Sequence, residues 1–189
     1  MVMKVYRLHG VRELLRKLEK KDAPLMLEWM HDPTVVEYLN RNFAAMTIED
    51  CEAFIEGAAV GAVSDRKTME GNLHLAIEDE NGEYLGTVSL KGIDRLTSSA
   101  EFGITVRAAA MGRGVSFKAM NEILRIGHEE MGLELIYWCV SVRNKRAIHF
   151  YDKNGYERVS LAELRAMNVR IDYAEDKLAD FIWYKSPGI

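Results

Sequence analysis

The chain has 189 residues, with 25 basic and 29 acidic side chains and a formal net charge of −4. Its length fits one domain, and a hydrophobic share of 48% is ample for a single core. No basic block is present, which argues against a dedicated nucleic-acid binder, and no apolar run is long enough to span a bilayer.

Residues 1–10 read as a short strand or a leader, with no signal-peptide apolar core, and 11–186 read as the core of one domain. Cys51 and Cys139 have no CxxC partner and read as reduced thiols, so a cytoplasmic protein is the expectation. Residues 14–18 form a first strand. Asp22 offers an N-cap and Pro24 stands in the first turn of a helix running to about Met30. His31-Asp32-Pro33 breaks it, and 35–39 is a second helical piece. Thr47 and Asp50 approximate a capping box, with Ile48, Cys51, Phe54, Ile55 and Ala58 at helical spacing behind them. Leu73, Leu75 and Ile77 alternate with His74, Ala76 and Glu78, as in a half-buried strand. Asn81-Gly82 is a hairpin signal leading into a strand at 84–90, and another strand follows at 100–106. From Val115 a helix continues to about Met131, with Phe117, Met120, Leu124, Gly127 and Met131 on one core stripe. Strands are expected at 135–142, 156–159 and 180–184, while 161–176 is the least legible stretch. No repeat or dividing linker appears, so the pattern is one layered α/β unit.

Two stretches carry chemistry. After the strand at 100–106, residues 107–120 contain Met111-Gly112-Arg113-Gly114-Val115-Ser116 and open a helix. Glycines at 112 and 114 permit a tight turn and close approach of a ligand to the backbone. The helix start behind them offers unpaired N–H groups and a partial positive charge, which suit a pyrophosphate. After the strand at 135–142 comes Asn144-Lys-Arg-Ala147-Ile-His-Phe150-Tyr151-Asp-Lys-Asn-Gly155-Tyr156.

This order of strand, glycine turn, helix, strand, Asn-led helix and Gly-Tyr resembles the GNAT N-acetyltransferase superfamily, over roughly residues 15–184. The second motif, N-x-x-A-x-x-F-Y-x-x-x-G-[FY], matches at every position. The first is looser: the family usually has Arg or Gln where Met111 stands, and Gly or Ala where Ser116 stands. The resemblance implies an α/β (α+β) fold. Its centre is a mixed, mostly antiparallel twisted sheet of six to seven strands, helices on both faces, splayed open beside the cofactor. It implies acetyl-coenzyme A as co-substrate, with no metal. The pyrophosphate would lie on Met111, Gly112, Arg113, Gly114, Val115 and Ser116. Ile104, Thr105, Val106, Asn144, Ala147 and Phe150 would flank the pantetheine and thioester, with a backbone N–H near Val106 polarising the carbonyl. Tyr151 matches the family's usual proton donor to the departing thiolate.

Glu101 shares a strand face with Gly103 and Thr105, and is the candidate base for the attacking amine. A charge paired with Arg107 or Lys118, or a solvated one, is its plainer reading. His74 and His149 are the histidines best placed to line a cleft, and no His/Cys/Asp/Glu group has metal-ligand spacing. Residues 28–39 hold aromatic and acidic side chains, of which Trp29, Glu37 and Tyr38 are the candidate acceptor contacts and Glu28 and Asp32 further acids; helix core and solvated charge are the alternative. The expected activity is acetyl transfer to a primary amine of a small molecule, a polyamine or an amino sugar, by direct attack on the thioester. Acetylation of a protein N-terminus, such as a ribosomal protein's, and a non-catalytic acetyl-coenzyme A sensor stay open. Neither nucleic acid nor membrane is an expected partner, and dimers are common in the family.

Overall fold

The computed structural model describes residues 14–39, 41–61 and 67–187. The reading of residues 1–10 therefore lies outside the described residues. A seven-stranded sheet runs through the chain in the order β1-β2-β3-β4-β5-β7-β6. Its strands are β1 (Leu15–Lys17), β2 (Gly71–Glu78), β3 (Tyr84–Asp94), β4 (Ser99–Val106), β5 (Leu135–Ser141), β6 (Glu157–Val159) and β7 (Phe181–Pro187). Every pairing is antiparallel except β4 with β5, which is parallel. The hairpin between β2 and β3 turns at Gly82, φ 82°, where the Asp79 carboxylate accepts N–H groups from Asn81 at 2.8 Å and Glu83 at 2.9 Å.

Helices cover both faces. One face packs Leu75, Val88, Leu90, Phe102 and Trp138 against α4 (Val115–Arg125) and α5 (Lys145–Lys153). On the other face, Ala76 and Tyr84 meet α1 (Ala23–Met30) and α3 (Ile48–Gly61) through Met26, Trp29, Cys51 and Ile55. A short α2 (Pro33–Val36) follows α1, capped by Asp32, whose carboxylate accepts the Thr34 N–H at 2.9 Å. Tyr137 alternates with Ile136 and Trp138, so it shares this second face. There it joins Val159, Leu164, Val169 and Trp183 in a third cluster under α6 (Leu161–Ala166). The second face thus carries two separate covers, one over β1–β3 and one over β5–β7.

Several expectations need correction. β2 is not half-buried, because α1 and α3 cover its second face and leave Ala76 fully buried beside Leu75 and Ile77. Asp22 stands at the N-cap position but does not cap α1 with its side chain. Its buried carboxylate takes two bonds from Arg16, at 2.7 and 2.8 Å, and the Glu19 N–H at 2.9 Å. The helix from Val115 stays α-helical only to Arg125 and ends in a π-turn over Ile126–Glu130. Phe117 leaves the core stripe and is 40% exposed, while Ala119, Met120, Ile123 and Leu124 are buried. At the start of the least legible stretch, Ser160 and Glu163 form a capping box that opens α6, a signal the sequence itself carries.

Candidate active site: a splay between two parallel strands

β4 and β5 pair only at Ser99↔Leu135, Ala100↔Ile136 and Glu101↔Tyr137. Beyond that point β4 stays with β3 as far as Val106↔Gly86, and β5 stays with β7 as far as Ser141↔Phe181. The two halves of the sheet therefore part towards the carboxyl ends of β4 and β5. Backbone groups on the facing edges have no ladder partner there, so an extended ligand can supply one.

The mouth of this splay is framed by two helix starts. Gly112 (φ 77°) and Gly114 (φ 75°) turn the chain from β4 into α4. A Cβ on either would meet nothing within 4 Å, so their role is backbone conformation and not space. The first bond of α4 runs from the Lys118 N–H to the Gly114 carbonyl at 3.3 Å, leaving the N–H groups of Val115, Ser116 and Phe117 to point out of the helix end. Arg113 is exposed on the same turn, and Met111 is half-buried. Opposite, Asn144 caps α5 by accepting the Ala147 N–H at 3.0 Å. Arg146 reaches back across the mouth, its Nη1 3.3 Å from Met111 Sδ. Glu37 and Tyr38 are at this mouth too: the Arg143 guanidinium stands 3.8 Å from the Glu37 carboxylate and 5.9 Å from the Tyr38 ring centroid. Ile104 packs towards α4, Val106 is buried, and Thr105 opposes Thr87 on the other face.

Tyr151 comes up from α5 into an aromatic nest, with ring centroids 5.0 Å from Tyr184, 5.5 Å from Trp138, 5.3 Å from Phe150 and 6.0 Å from Tyr156. Burial pushes its phenol above the ordinary value, which keeps the proton on at neutral pH. Neighbouring hydroxyls are committed: Tyr184 donates to Asp152 at 2.9 Å and Tyr156 to Asn121 at 3.2 Å. Among the described residues the Tyr151 hydroxyl has no hydrogen bond, and neither has the buried Trp138 Nε1.

On the opposite face, between the two covers, runs a polar trough over β4. Glu101 accepts from Lys91 Nζ at 2.8 Å and from the Tyr173 hydroxyl at 3.0 Å. The expected pairing with Arg107 or Lys118 is replaced by Lys91, which stands opposite Glu101 in the β3–β4 register. His74 and Ser89 lie beside them, joined Nδ1 to Oγ at 2.7 Å. Burial first, and Lys91 second, bring the His74 imidazole down to about 4. The Cys139 thiol is pushed up to about 12 by burial. Lys91 and Tyr173 carry no signal in the sequence, where Cys139 reads only as a reduced thiol; Lys91 is legible only once the register opposite Glu101 is known. His149 is exposed on α5 and does not join the trough.

The candidate acceptor contacts divide. Trp29 is 6% exposed, with its Nε1–H given to Tyr84 Oη at 3.1 Å and its ring edge-on to Phe43, so it is core and not an acceptor wall. Glu28 is held by Arg107 at 3.1 Å, together with Glu83 at 2.8 Å. Of the three, only Glu37 and Tyr38 come near the splay. Phe150 lies edge-on to the exposed Phe117 at 6.4 Å, in the groove between α4 and α5. Among the described residues no His/Cys/Asp/Glu group could hold a metal ion.

Comparison with known proteins agrees with this geometry. The family model described as an Acetyltransferase (GNAT) domain matches residues 12–157. A spermidine N(1)-acetyltransferase of Escherichia coli (strain K12) is 26% identical over 148 residues, covering 78% of this chain and 73% of that protein. An uncharacterized N-acetyltransferase p20 of Bacillus licheniformis is 24% identical over 156 residues, covering 82% and 84%. Among solved structures, a spermidine N-acetyltransferase from Vibrio cholerae in complex with CoA and spermine superposes with a TM-score of 0.70 at 19% identity, over 92% of this chain and 94% of that one. A microcin C7 self-immunity acetyltransferase in complex with acetyl-CoA and AMP gives 0.71 at 17% identity, over 92% and 91%. The seven-stranded splayed sheet, the glycine turn, the Asn-led helix and the family match together place this chain in the GNAT family of N-acetyltransferases.

Proposed function

We propose that the chain transfers the acetyl group of acetyl-coenzyme A to a primary amine of a small molecule, within one catalytic domain in the cytoplasm. The observation that carries this reading is the β4–β5 ladder ending at Glu101↔Tyr137, directly below a glycine turn and an Asn-capped helix. The residues fit the co-substrate: helix N–H groups at 115–117 for pyrophosphate, and an unpaired strand edge at 102–106 for an extended arm. Met111, Gly112, Arg113, Gly114, Val115 and Ser116 would hold the pyrophosphate. Ile104, Thr105, Val106, Asn144, Ala147 and Phe150 would line the arm.

When bound, acetyl-coenzyme A supplies an activated acyl group. Glu101 is assigned the proton of the incoming ammonium, so that the free amine forms the new C–N bond as the C–S bond breaks. Tyr151, held protonated by burial, is assigned the return of a proton to the leaving sulfur. A backbone N–H of the open β4 edge, near Val106, would polarise the carbonyl. Glu37 and Tyr38 would meet the acceptor at the mouth. A polyamine, as the names of the relatives indicate for those proteins, and an amino sugar are the acceptor classes to try first. A homodimer is proposed from family habit, with no nucleic-acid or membrane partner; among the described residues no helix is long and apolar enough to cross a membrane.

Coenzyme A thiol release tests the proposal, measured with polyamines, nucleotide amino sugars and N-terminal peptides while cofactor binding is followed in the same samples. Release stimulated by a small amine supports it. Release with peptides alone would move the acceptor to protein N-termini, and binding without any release would make the domain a sensor.

A further inference from the structure

We infer that Lys91 selects among these small-molecule acceptors, favouring an amine with a carboxylate or phosphate close to its nitrogen, such as an acidic amino sugar, over a polyamine. The inference rests on reading the trough around Glu101 as the acceptor side of the site. Lys91 opposes Glu101 across the β3–β4 register, and its ammonium bonds Glu101 Oε1 at 2.8 Å. Its stem crosses the strand: a Cβ on Gly103 would stand 3.2 Å from Lys91 Cε. The Lys91 side chain is 40% exposed and that of Glu101 15%, so Lys91 is on the open side of the pair. An amine approaching the carboxylate has to pass the lysine.

The remaining trough is neutral. His74, Ser89, Tyr137, Cys139 and Tyr173 carry no charge near neutral pH, given a histidine near 4 and a thiol near 12. Nearby acids lie beside arginines: Glu28 and Glu83 share the buried Arg107, and the exposed Asp172 and Glu37 face Arg170 and Arg143. Among the described residues of the trough itself Glu101 is the one carboxylate, so the second ammonium of a polyamine bound there would meet Lys91. A zwitterion matches the pair as it stands. Its ammonium takes the place of Lys91 on Glu101, and its anionic group takes the place of Glu101 on Lys91. Two opposite charges held side by side recognise their mirror arrangement and repel a dication, which is selection by unfavourable charge as well as by favourable contact.

Matched acceptors that differ by one anionic group test this: ornithine against putrescine for a carboxylate, and glucosamine 6-phosphate against glucosamine for a phosphate, with spermidine alongside. Both turnover and binding to the coenzyme A-loaded enzyme are measured. The wild type is expected to favour the anionic member of at least one pair by about tenfold or more in kcat/KM or affinity; which pair responds identifies the anion. Lys91→Met should bring that ratio to within about threefold, and Lys91→Arg should keep it. Equal treatment of both members of each pair, a preference for putrescine or spermidine, or an unchanged ratio in Lys91→Met would overturn the inference. Failure of the wild type to bind coenzyme A would instead defeat the reading of the splay itself.

Discussion

Glu101 and Tyr137 are the last residues that β4 and β5 share, and the sheet divides directly beyond them. The same register position places a carboxylate on one face of the sheet. Tyr151 reaches the other face, where it rests on Trp138, the first residue of β5 past the division. A thioester lodged in the gap would therefore lie between a proton acceptor and a proton donor without either having to move across the sheet.

Tyr151→Phe isolates the donor. The change removes one oxygen that has no hydrogen bond among the described residues, so stability should change by less than about 1 kcal/mol. Turnover should fall by roughly 10²-fold or more, with little change in acetyl-coenzyme A affinity. Stopped-time thiol assays and calorimetric binding read the two quantities. An unchanged kcat would remove Tyr151 from the chemistry.

Glu101→Gln keeps the shape and the Tyr173 contact while removing the charge that Lys91 faces. The expected loss in kcat/KM is about 10²-fold, with a steeper dependence on pH, because the variant must draw its amine from the already neutral fraction in solution. A parallel pH profile in wild type and variant would mean that another group or a water takes the proton.

Gly114→Val forces a β-branched side chain into φ 75°, a region that costs an L-residue about 1–2 kcal/mol or more. Since the space beside Gly114 is empty, the penalty falls on the turn and not on packing. Coenzyme A affinity should drop about tenfold or more, while Gly114→Asn, which tolerates this conformation, should retain most of it. Equal affinity in the valine variant would place the pyrophosphate elsewhere.

His74 makes stability depend on pH. Its folded value, about 4 against an ordinary 6.5, means that the unfolded chain binds more protons between those limits. Its contribution is therefore complete above about pH 6.5 and is lost as pH falls towards 4, by up to about 3 kcal/mol. Thermal unfolding of His74→Gln at pH 7 and pH 5 should show a smaller difference than wild type. Identical differences would show that the imidazole is not held neutral by the fold.

Local signals carried much of this in the sequence. The Asn81-Gly82 turn and the glycine pair at 112 and 114 each act within a few residues, so their spacing alone points to them, and the Asn-led helix at 144 is legible from its motif. The face of β4 that bears Glu101 also followed from alternation. Lys91 and Tyr173 were hidden because they reach Glu101 from 10 and 72 residues away, and only strand register and the cover over β5–β7 bring them in. Trp29 departs from its sequence reading for a related reason. A tryptophan among acids looks like a cation site, but α1 lies on β2 and β3, and the indole turns inward to Tyr84. Phe117 went the other way: the apolar stripe of α4 is set by Ala119, Met120 and Ile123, leaving the phenyl ring at the groove with Phe150.

The most direct measurement is amide hydrogen exchange, residue by residue, with and without acetyl-coenzyme A. Protection should appear at the open β4 edge over residues 102–106 and at the α4 start over 112–117, with β2 unchanged. Binding that leaves both segments exchanging as before, or that protects a different surface, would contradict the assignment of the splay as the cofactor site.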